Sequence, residues 1–171
     1  IRQAAGFKSL VGLNLAVCDQ VDDEALEPLK DAEGLRVIVA TGMSIGPAGL
    51  THISELPDLV ALDLEVCDNV SDSACDVLAR MTKLRALNLK KTAFEKNRIS
   101  AAGLNKLAGL RQLEVLNLYA ESINNETLKE LMPLGNLREL DLSLTSVSDV
   151  GLKHLTTLKK LTRLTLLYSE G

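Results

Sequence analysis

Apolar positions along the 171-residue chain follow a two-part beat. In the first part every second residue is apolar: Leu13 and Leu15, Ile38 and Ala40, Leu62 and Leu64, Leu87 and Leu89, Leu116 and Leu118, Leu140 and Leu142, and again from Leu164 and Leu166. A period of two predicts short strands with one buried face. In the second part the spacing is about three, as in Leu26 and Leu29, Leu104 and Leu107, or Leu128 and Leu131. That spacing predicts a short helix or 3₁₀ turn after each strand. Asp22, Ser71, Ser100, Asn124 and Ser148 stand where N-caps are expected, and Pro47 suits a first helical position.

The beat is a repeat. The frame LxxLxL opens at Leu10, Leu35, Leu59, Leu84, Leu113, Leu137 and Leu161, in steps of 25, 24, 25, 29, 24 and 24 residues. The near-identical stretches VCDQVDDEAL (17–26) and VCDNVSDSAC (66–75) are therefore two repeats apart. One such unit cannot bury its own apolar face, but stacked units cover one another. The expected architecture is an α/β right-handed solenoid, with a parallel sheet on the concave face and short helices on the convex face.

The stretches LRALNLKKT, LEVLNL and LRELDLSLTSVSDVGLKHL resemble leucine-rich repeats, and the resemblance runs over the entire chain. Repeats one and three, with CDQV and CDNV, resemble the cysteine-containing subclass, and repeat six, TSVSDVGL, a bacterial Thr-type variant. Residues 1–171 read as a single solenoid. Its first residues align with the helix of a repeat (Ile1 to Leu10 on Leu104 to Leu113), and Gly171 follows the seventh strand. The expectation is a fragment of a longer array.

Composition agrees with a repeated small unit. There are 35 Leu against no Trp, two Phe and two Tyr, whereas compact cores draw much burial from aromatics. Of the four aromatics, Phe7 alone takes a Leu-type core position in the frame. The net charge of −4 argues against nucleic-acid binding driven by overall charge. No apolar run approaches the roughly 18 residues of a membrane span. Neither a nucleic acid nor a membrane is expected as partner.

Candidate chemistry is sparse. Cys18 and Cys67 fill the inward turn position after their strands, two strands or roughly 10 Å apart, too far for a disulfide. With Cys75, which replaces a core Leu, they are expected as buried reduced thiols. His52 and His154 are four repeats apart, roughly 20 Å, and read as solvent-facing helix residues. Asp63 and Asp141 share a concave column but stand about 14 Å apart, beyond the reach of a paired-carboxylate mechanism. Neither catalysis nor a cofactor is expected. Glu121, in the inward turn position, needs partners if buried; backbone amides or Lys91 can supply them.

The fourth repeat is interrupted. Thr92 to Ile99 takes seven residues where Met43 to Ile45 takes two, so five are inserted within AFEKNR at 93–98. Insertions in solenoids fall in loops and often on the binding side. Lys90, Lys91, Lys96 and Arg98 outweigh Glu95 there, and Phe94, Tyr119 and Tyr168 fall on variable positions of the same edge. Aromatics and Arg are the usual interface anchors. These residues mark a candidate partner-binding rim. The expected function is a non-catalytic module that binds through its concave face and this rim, and the resemblance implies another protein as the partner. It also leaves open the substrate-recognition part of a larger enzyme, such as an F-box-type ubiquitin ligase, or a structural spacer array.

Overall fold

The computed structural model describes residues 1, 3–91 and 98–169. Seven three-residue strands form one parallel sheet in chain order: β1 (Gly12–Asn14), β2 (Val37–Val39), β3 (Ala61–Asp63), β4 (Ala86–Asn88), β5 (Val115–Asn117), β6 (Glu139–Asp141) and β7 (Arg163–Thr165). The register pairs Leu13, Ile38, Leu62, Leu87, Leu116, Leu140 and Leu164 in a single inward column. The outward residues on either side of it make the concave face.

The ladder outlasts the strands. Leu15 N donates to Val39 O at 2.7 Å, and Leu64 N to Asn88 O at 2.9 Å. One step later the chain turns through a left-handed residue, with φ of 60° at Val17, 70° at Gly42, 58° at Val66, 58° at Ala120, 53° at Leu144 and 58° at Tyr168. β-Branched and bulky residues rarely sit there. Up to Leu144 they are held because the turn amide is pinned to the next repeat, as Val17 N to Thr41 O and Val66 N to Lys90 O, both at 2.8 Å.

The convex side mixes two helix types in a way the leucine spacing does not reveal. Repeats two, three, four and six carry α-helices: α1 (Pro47–Ser54), α2 (Asp72–Leu78), α3 (Ala101–Leu107) and α4 (Asp149–Leu155). Repeats one and five carry 3₁₀ segments, Glu24–Asp31 and Thr127–Leu131. Pro28 lies inside the first of these and removes a donor that an α-helix needs. Pro47 is at the start of α1 as its sequence position suggests, and Ser100 caps α3 by accepting from Ala102 N. Ser71 and Ser148 are N-cap residues without a cap hydrogen bond of their own.

Helices α1, α3 and α4 are capped partly from outside. Asp23 accepts from Gly46 N at 2.9 Å; Asp72 accepts from Ser100 N at 2.8 Å and Ser100 Oγ at 2.6 Å; Asn125 accepts from Ser148 N at 2.8 Å. In each case an odd repeat reaches into the helix of the next, even one. The receiving helix has glycine at the contact: a Cβ on Gly49, Gly103 or Gly151 would lie 2.4 Å from that same oxygen. Asp23 and Asp72 do not merely open their own helices.

Mutual covering shows in the burial along the inward column. Leu116, with a strand on both sides, is 1% exposed, whereas Leu164 on the last strand is 37% exposed. The same edge effect corrects two expectations. Phe7 is not in the core: it is 64% exposed, because it lies on the outermost turn, where only one side has a neighbour. Cys18, in the first strand turn, is only partly buried, while Cys67 and Cys75 are fully buried.

Candidate recognition surface

The concave face is built from two outward columns. The column nearer the strand N-termini is apolar from β2 to β5, with Val37, Ala61, Ala86 and Val115, and then changes to Glu139 and Arg163. Ala61 and Ala86 are short, so the sheet dips between the two valines. With Val39 they line a depression of about 320 Å³.

The second column is polar for a local reason. Asn14, Asp63, Asn88, Asn117 and Asp141 each accept from the amide two residues ahead, at 2.9 to 3.1 Å. These Asx turns mimic a backbone turn and steer the chain out of each strand. Asp63 is further occupied by Thr41 Oγ1 and Asn88 Nδ2, both at 3.1 Å. The concave carboxylates are thus parts of the turn chemistry.

At the strand C-terminal rim a cluster crosses repeats three to five. Lys90 Nζ lies 2.8 Å from Glu65 Oε1 and 5.3 Å from the centre of the Tyr119 ring. The Glu65 hydrogen bond holds Lys90 charged to higher pH than usual. Of the rim residues expected from sequence, Lys90 and Tyr119 are therefore together. Tyr168 is 84% exposed, two repeats further along. Phe94 and Lys96 lie outside the described residues.

Lys91 and Arg98 are used differently from a solvated rim. Lys91 is 1% exposed and donates to Cys67 O in the preceding repeat. Arg98 donates to Ala120 O in the following repeat. Glu121, also buried, accepts from Ile99 N at 2.5 Å. Charged side chains thus tie both ends of the inserted stretch to neighbouring repeats. A backbone-amide role for Glu121 is thus observed.

The opposite rim escaped the sequence reading. Arg36, Arg85, Glu114 and Arg138 each precede a strand and are connected by the backbone ladder: Arg85 N through Val60 to Arg36, and Arg138 N to Glu114 O. Glu114 is shared by Arg85 at 3.4 Å and Arg138 at 3.5 Å. The signal was present: the residue after the first Leu of the frame is Arg at 36, 85 and 138. Without the strand register nothing said that these positions stand side by side along one rim.

Cys67 and Cys75 are closed off from solvent. Burial pushes Cys67 up to about 11 and Cys75 to about 12. Cys67 Sγ donates to Ala40 O at 3.1 Å. Among the described residues, no three His, Cys, Asp or Glu side chains gather as a metal site, and no helix is long and apolar enough to cross a membrane.

No protein-family model matches the sequence, and no curated protein does either. Solved structures do. Internalin C2 of Listeria monocytogenes is similar at 24% identity and a TM-score of 0.73, over 95% of this chain and 64% of that one. An internalin F of the same organism is similar at 22% and 0.57, over 99% and 58%. A leucine-rich-repeat protein of Leptospira interrogans is similar at 20% and 0.62, over 93% and 38%. This chain spans about two fifths to two thirds of their lengths. The shared fold is the leucine-rich-repeat solenoid.

Proposed function

We propose that this leucine-rich-repeat solenoid is a non-catalytic module that binds another protein through its concave face and the rim of repeat four. The observation that carries the reading is the apolar depression on the open sheet face, bordered by the Lys90–Tyr119 cluster. Exposed apolar surface framed by polar residues is the common form of an interaction site. The rigid ladder beneath it holds the anchors without ordering cost at binding. Concave carboxylates spent on turns, and thiols pushed far above neutral pH, support binding over catalysis. Phe94, Lys96, Arg98 and Tyr168 belong to the same proposed rim.

A photo-cross-linking residue placed at Ala86, at Phe94 and at Tyr119, with Lys153 on the convex side as control, tests this in lysate of the source cells. Protein adducts are expected from the first three positions and not from Lys153. Equal labelling from all four, or none from positions 86 and 119, would remove the reading.

A further inference from the structure

We infer that the segment received by the concave groove carries an apolar side chain flanked by carboxylates; this rests on the protein-binding reading above and names its partner's chemistry. The floor requires the apolar element. Ala61 and Ala86 leave room between Val37 and Val115 for a side chain from outside. From β2 to β5 the groove measures about 14 Å, or four to five residues of extended chain.

Charge selects the flanks. On the C-terminal rim the carboxylates are already answered. Asp63 is taken by Glu65 N, Thr41 Oγ1 and Asn88 Nδ2. Glu65 is taken by Lys90. At the β6–β7 end, Glu139 and Arg163 pair one to one at 2.8 Å.

Among the described residues, the N-terminal rim carries cations in excess of its carboxylates. Arg85 and Arg138 divide the single carboxylate of Glu114 at long range. Arg36 makes no ion pair among the described residues. The result is a net positive edge along a groove in a chain whose total charge is −4. The guanidinium fork suits planar carboxylates in two-point contact. A groove with an apolar floor and one cationic wall thus complements an acidic segment with an apolar anchor, and its charge speaks against a basic one.

Fluorescence anisotropy with three labelled synthetic peptides tests the assignment. One has a leucine flanked by glutamates, the second has glutamines in their place, and the third lysines. The glutamate peptide should bind the intact chain tightest, and more weakly as salt rises. Arg85→Gln with Arg138→Gln should weaken it about tenfold, which corresponds to about 1.4 kcal/mol. Ala86→Leu, filling the depression from the concave side, should weaken all binding while circular dichroism stays unchanged.

Equal affinity for the glutamate and glutamine peptides, preference for the lysine peptide, or indifference to the double Arg variant overturns the inference. So does absence of binding by all three. Concentration-dependent self-association abolished by Ala86→Leu overturns it too, since the occupant would then be a second copy. Cross-linked adducts at positions 86 and 119 without acidic preference would leave the broader protein-binding reading standing and remove only this one.

Discussion

Glu121, Lys91 and the two inner cysteines show how single residues are reassigned by their surroundings. In the linear chain Lys91 reads as part of a basic surface; folded, its ammonium is inside, on a backbone carbonyl. Glu121 looked anomalous among inward Cys and Thr residues and proves to hold Ile99 where the inserted stretch rejoins the stack. The thiols carry a pH prediction. Folded Cys67 and Cys75 keep their protons up to about 11 and about 12, above the usual 9.0, because burial disfavours the thiolate. The stability from this is complete below pH 9 and is lost as pH rises through the folded values. Urea midpoints of the parent should fall more steeply above pH 9 than those of Cys67→Ala with Cys75→Ala. Parallel pH profiles would contradict the assignment. At pH 8 a disulfide-exchange reagent should titrate Cys18 alone in the folded chain and all three thiols in urea.

Between elements, the alternation of odd and even repeats explains why VCDQVDDEAL is echoed two repeats away and not one. An Asp or Asn from an odd repeat fills the space that glycine leaves in the next helix and caps it from outside. Strands, helices and their order were legible because period two and period three need no partner to be recognised. The alternation was not, since Asp72 reads equally well as a residue of its own helix. A double-mutant cycle on Asp72 and Gly103 measures the fit. Gly103→Ala forces a Cβ against Asp72 Oδ1, Ile99 and Cys75, and should cost about 1–3 kcal/mol. Asp72→Ala should cost about 0.5–2 kcal/mol through lost caps. The double variant should be more stable than the sum of the two, because removing the carboxylate relieves part of the clash. Strict additivity in chemical denaturation would show that the pair is not coupled.

For the whole molecule, stability comes from neighbours covering neighbours, so the same substitution should differ in cost by place in the stack. Leu116→Ala, between two strands, should lose about 2–5 kcal/mol. Leu164→Ala, on the exposed last strand, should lose under about 1 kcal/mol. Equal shifts in the denaturation midpoint would contradict a stack held by mutual burial. The chain by itself determined the repeat, its two-part unit, the parallel order of strands and the inward leucine column, because those follow from spacing and from the need of each unit to hide one face. The frame also put Lys90 and Tyr119 on one edge, where they lie in contact. Tertiary structure decided the rest: which charges turn inward, which glycine receives which carboxylate, and which residues from four repeats line one groove. The physical reason is that such features depend on contacts between residues some 22 to 29 positions apart, and local periodicity holds no information about the side chain that a neighbouring coil presents.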